Sequence, residues 1–124
     1  MRITKLLAVF LLATSSSVSV FAHHSGSMFD QSKQQTLKGT VREFQWTNPH
    51  AWIQLMVANE NGVEEEWSIE MAGPSGLYRS GWRPNSLKSG DKITVIINPM
   101  RDGSKGGNFI SGSGADNKPL GKKE

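Results

Sequence analysis

Cysteine is absent from the 124 residues, which excludes disulfides, thiolate metal sites and thiol redox chemistry together. Any bound metal must use histidine, carboxylate, methionine or backbone groups, and histidine is scarce as well, with three in the chain. An excess of charge of one sign is lacking. Two of the 14 basic residues lie within the first five positions, and the remaining 12 face 11 Asp and Glu. A balance near +1 provides no basic stripe for a phosphate backbone, so nucleic acid is not expected as a partner. No second long apolar run follows the amino-terminal one, and no membrane anchor is expected. Internal repeats are absent. Ser25, His50 and Asp30 can be named as a serine, histidine and acid, but no nucleophile motif positions them and no carboxylates are paired for acid–base work. An enzyme is not expected.

What is present begins with a signal peptide over residues 1–22. Arg2 and Lys5 form its positive start, Leu6 to Ala13 its apolar centre, and Val20-Phe21-Ala22 a small-residue cleavage site. The expected destination is the periplasm or the exterior. Cleavage after Ala22 would make His23 and His24 the first mature residues and place a free α-amino group beside the His23 imidazole. Amine and imidazole nitrogens are donors that favour Cu(II) among common divalent ions, so copper is the expected metal if one is bound. The amine must lose a proton to coordinate, which makes affinity rise with pH. The competing reading is a solvated terminus that binds Cu(II) no better than any chain starting with two histidines.

The mature length suits one small core. After a lead-in over residues 23–35, Thr36 to Trp46 reads as a strand whose alternation slips. Leu37, Gly39 and Val41 share a face, whereas Phe44 and Trp46 continue out of phase beyond Arg42-Glu43, the pattern of a β-bulge with Gly39 permitting a bend. His50 to Ala58 alternates as a second strand. Asn59 to Gly62 carries a hairpin signal, and Val63 to Met71 alternates as a third strand. Gly73 to Gly81 has proline at a first helical position and glycine past the end, which predicts a short helix. Lys92 to Asn98 is a fourth strand and Asn108 to Ser113 a fifth, separated by a glycine-rich connection from Pro99 to Gly107. This order predicts an all-β, five-stranded OB-like Greek-key barrel over residues 36–114, with one short helix between strands 3 and 4. Residues 115–124 are expected to form a polar, frayed tail.

His23-His24-Ser25, Met28-Phe29-Asp30, Trp46-Thr47-Asn48-Pro49-His50, Gly81-Trp82, Leu87 to Val95 and Arg101-Asp102-Gly103-Ser104 together resemble an uncharacterised family of small exported bacterial proteins, classed as a domain of unknown function. The resemblance implies a single small β-barrel behind a signal peptide and no established activity. Gly73 stands where similar sequences carry a serine-like helix cap.

Two candidate sites follow. The first is a metal site of His23, His24 and, if the lead-in folds back across the barrel, His50. His50 alone reads equally as a structural histidine whose ring bonds the turn, with Asn48 making a side-chain turn. Met28, Met56, Met71 and Met100 carry thioethers suited to Cu(I). Met71 falls on a core pattern, and Met28 lies nearest the paired histidines. The second candidate is a ligand-binding face around Trp52, His50 and Arg101, within the Pro99 to Gly107 loop, that holds a small ligand, glycan or protein segment. Trp46 and Trp67 fall on inward patterns, whereas Trp52 alternates away from Ile53, Leu55 and Val57. Glu64-Glu65-Glu66 reads as a solvated edge strand.

Overall fold

A computed structural model describes residues 28–121. The expected signal peptide, its cleavage site, His23 and His24 lie outside the described residues. The elements run β1 (Gln35–Gln45), β2 (Trp52–Ala58), β3 (Glu64–Glu70), α1 (Pro74–Arg79), β4 (Lys92–Pro99) and β5 (Gly106–Gly114). The strands close into a barrel in the order β1-β2-β3-β5-β4, the Greek-key order of an OB-like fold. No helix among the described residues is long and apolar enough to cross a membrane.

β1 serves both halves of the barrel. Gln35 to Thr40 pairs with β4, Thr40 to Gln45 pairs with β2, and the register slips between Val41 and Glu43. The bulge read from the two polar residues is therefore the device that coils the strand. Gly39 stands at the changeover because a Cβ there would collide with the Met56 carbonyl oxygen and lie 2.9 Å from Leu55. The inward alternation then fills the barrel with Val41, Ile53, Leu55, Ile69, Met71, Val95 and Ile97, all essentially inaccessible.

The β2–β3 hairpin turns over Asn59 to Gly62. Gly62 adopts φ 77° and its N–H donates to the Asn59 carbonyl, while the Asn59 side chain accepts from the Asn61 and Val63 N–H groups. This turn sets Trp52 opposite Glu70 and Gln54 opposite Ser68. The short helix starts at Pro74 with Gly73 as its cap, without a side-chain cap. A Cβ at Gly73 would sit 2.7 Å from the Pro49 carbonyl oxygen, so a side chain at this cap position would crowd the turn before β2. Beyond the helix Trp82 closes one end of the core, 5.8 Å from Phe44 and 5.6 Å from Phe109 between ring centres.

The first four strands begin or end within one or two residues of the sequence expectation, His50 and Ala51 lying just ahead of β2, and two boundaries differ in kind. The fifth strand begins at Gly106, so Gly106 and Gly107 belong to the sheet and not to the connecting loop. They make the parallel β3–β5 pairing that closes the barrel, Ser68 with Gly106 and Ile69 with Gly107. A Cβ on Gly107 would lie 2.5 Å from the Asn98 carbonyl oxygen and 2.6 Å from Ile97 Cδ1; these glycines reflect close approach, not looseness. The residues after Gly114 do not fray as far as Gly121. The Leu120 N–H donates to Gly112, the Gly114 N–H to Lys118, and Leu120 packs on the core.

Candidate functional site

The outer face of β2 and β3 carries Trp52 and Glu70 side by side, followed by Gln54 and Ser68. The second pair belongs to a polar ladder: Ser68 Oγ donates to Gln54 Oε1 (2.6 Å) and Gln54 Nε2 donates to Gln45 Oε1 (3.0 Å). Further along, Arg42 Nε donates to Glu66 Oε1 at 2.8 Å. These polar groups satisfy one another. The Trp52 end is different, because two segments from elsewhere in the chain lie over it.

Those segments are the lead-in and the β4–β5 loop. Phe29 bridges Met100 in antiparallel fashion, the Asp30 N–H donates to Pro99 and the Arg101 N–H to the Met28 carbonyl. Each segment carries its own clasp. Asp30 Oδ1 accepts from the Ser32 N–H and hydroxyl, and Asp102 Oδ1 from those of Ser104 (2.9 and 2.6 Å). The Ser32 hydroxyl, with help from the Ser32 N–H and Lys33, holds the Asp30 carboxyl below its usual value. The Ser104 hydroxyl and N–H do the same for Asp102.

Between these segments and the sheet is a hollow of about 160 Å³ walled by Met28, Phe29, Trp52, Glu70, Met100 and the stretch Ser104 to Gly106. Its lining is aromatic and thioether apart from Glu70, Ser68, Ser104 and Lys105. The Lys105 ammonium is 3.3 Å from Glu65. Glu70 is the buried acidic residue among the described residues. Its Oε1 is 3.3 Å from His50 Nδ1, and the same Nδ1 is 2.8 Å from the Met71 carbonyl oxygen. A carbonyl only accepts, so Nδ1 carries a hydrogen and donates it to Met71. Larger hollows of about 300 and 280 Å³ lie along β1 and β4 near Lys38 and Lys92, and beside the hairpin near Asn59 and Trp67. Neither gathers an aromatic face, a buried carboxylate and thioethers.

The expected site residues distribute as follows. Trp52 walls the hollow, half-buried on the outer face. His50 precedes β2 and joins the hollow through Glu70. Arg101 is exposed on the loop above it and ties that loop to Met28 through its backbone. The turn before β2 is closed by the Thr47 hydroxyl donating to the His50 carbonyl, with the Asn48-Pro49 peptide cis. Among the described residues no three His, Asp or Glu side chains gather as a metal group. Glu70 was not singled out from the sequence, Phe29 entered only through the family resemblance, and Met100 was named only as one of four thioethers. Glu70 had a signal, since outward alternation on β3 places it on the same face as Trp52 once the hairpin register is set. The pairing of Met100 with Phe29 had none, because the two lie some seventy residues apart in the chain.

A family model described as a family of unknown function, DUF6152, matches residues 11–109. Among solved structures the chain is similar to the mitochondrial single-stranded DNA-binding protein Rim1 from S. cerevisiae. The identity is 12%, the match covers 69% of this chain and 97% of that one, and the TM-score is 0.49. No curated protein matches the chain.

Proposed function

The chain belongs to the DUF6152 family of unknown function; membership supplies no activity, and we propose that this member is an exported, non-catalytic binding module whose ligand seat is the Trp52–Glu70 hollow. The observation that carries this reading is the convergence of the lead-in at 28–29, the β2–β3 pair at 52 and 68–70, and the stretch 100–106 on one small, mainly apolar space with a buried carboxylate. Packing alone does not call for a carboxylate there, and ligand seats combine apolar walls with a few placed polar groups in this way. The location supports it as well, since OB-like barrels present the β2–β3 face, flanked by the β1–β2 and β4–β5 loops, to ligands. Glu66 and Glu70 on this face disfavour a phosphate backbone. The test is Trp52→Ala, screened with short peptides, glycans and metal ions. A ligand bound by the native chain should lose at least tenfold in affinity in the variant while the fold persists; unchanged affinity for every such ligand would overturn the reading.

A second reading, a Cu(II) site at the mature amino terminus, is favoured by the path of the lead-in. Met28 stands at the rim of the hollow, four residues after His24, and four residues reach at most about 14 Å. One residue added ahead of His23 should abolish a site that uses the terminal amine; unchanged Cu(II) affinity would remove it.

A further inference from the structure

Met28, Met100 and Trp52 line one hollow, and from this we infer that the hollow is a seat for a soft monovalent cation, Cu(I) being the physiological form of that chemistry. The inference rests on the reading that this hollow is the ligand seat and names the class of ligand. It concerns different donors and a different oxidation state from the amino-terminal histidines.

Four features converge. Thioethers are soft donors that select Cu(I) over the hard and borderline divalent ions, and two of them wall one space of about 160 Å³. Methionine has three rotatable side-chain bonds, so both sulfurs can turn toward an ion placed between them. The Trp52 ring walls the same space, and an indole face attracts a cation through its quadrupole. Glu70 supplies negative charge at the base. Its side chain is 11% exposed, and the His50 ring beside it is 3.3 Å away and shares its Nδ1 hydrogen with the Met71 carbonyl. A largely buried carboxylate lining the hollow supplies oxygen that a cation entering it would engage. The neighbouring ammonium of Lys105 is drawn to Glu65.

The Phe29–Met100 bridge and the Arg101 to Met28 hydrogen bond hold the lead-in beside the β4–β5 loop, and both methionines line the hollow. The β3–β5 pairing at Gly106 brings Met100 down onto the sheet, where its Cγ would be 3.5 Å from a Cβ on Gly106.

The experiment is an anaerobic Cu(I) titration against a chromophoric Cu(I) chelator, with tryptophan fluorescence followed in parallel and Ag(I) as a redox-inert check. It uses the full chain carrying His23→Ala and His24→Ala, which removes the amino-terminal imidazoles. One equivalent should bind and quench fluorescence. Met28→Leu/Met100→Leu, close in volume, should weaken binding at least tenfold with circular dichroism unchanged. Met28→Leu alone, at a position 43% exposed, keeps the test open if the double variant folds poorly and should itself weaken binding several-fold. Failure to compete with the chelator, or affinity unchanged by the methionine substitutions, overturns the inference. If another ligand binds and depends on Trp52 while Cu(I) does not bind, the soft-cation assignment fails and the binding module stands. If nothing tested, Cu(I) included, depends on Trp52, both fail.

Discussion

Trp82 and Trp52 are given opposite roles, and replacing each by alanine separates them. Trp82 is 4% exposed and sits among Phe44, Phe109 and the backbone of Gly121. The Arg83 guanidinium, stacked 3.7 Å from the Tyr78 ring centre, donates to its carbonyl. Deleting a buried indole of this kind removes its apolar transfer energy and leaves a cavity, about 3–5 kcal/mol in all. For a domain of this size each 1 kcal/mol lowers the melting temperature by roughly 4–8 °C, so Trp82→Ala should melt at least about 12 °C below the native chain. Trp52 is half-buried on the outer face, with Glu70 as its cross-strand partner. Such a pair contributes about 1 kcal/mol or less, and Trp52→Ala should melt within about 8 °C of native. Calorimetry with near-ultraviolet circular dichroism measures both. A Trp82→Ala protein melting within 5 °C of native, or a Trp52→Ala protein melting as low as Trp82→Ala, would refute the division into core and site.

Gly107→Ala should destabilise by about 1–3 kcal/mol, the range for a clash in a packed core, because its Cβ would meet the Asn98 carbonyl oxygen at 2.5 Å; denaturant midpoints unchanged from native would contradict the close approach of β4 to β5 at this position. The Asp102 clasp should loosen in acid. Its folded carboxyl titrates below the ordinary aspartate value of 3.8, so its contribution to loop order is complete above that value and is lost as pH falls through the lower folded value. The Ser104 amide shift, followed from pH 6 to 2, should show a midpoint below 3.8 that Asp102→Asn removes, and a midpoint at or above 3.8 would count against the clasp.

Local periodicity made most of the barrel legible. The slip at Arg42-Glu43, the alternation of Ile53, Leu55 and Val57, and the Pro74 helix start each encode their element within a few residues. Gly106 and Gly107 were misread because glycine marks loops by composition, whereas here it marks the approach of the β3 and β4 backbones. The polar composition of residues 115–121 concealed a return along β5 anchored by one apolar residue, Leu120. The candidate face was half legible. Outward alternation identified Trp52, and the loop around Arg101 was placed beside it by the fold. Its partners Met28, Phe29 and Met100 meet through pairing across the barrel, and no local pattern in sequence records a contact between segments so far apart.

Seating of ligands between Trp52 and Glu70 is tested by mapping amide chemical shifts on the isotope-labelled chain while Ag(I), short peptides and glycans are added in turn. Changes clustered at Met28–Phe29, Trp52, Ser68–Glu70 and Met100–Gly106 are the predicted result. Binding that instead moves residues around Lys38 and Lys92, or around Asn59 and Trp67, would contradict it.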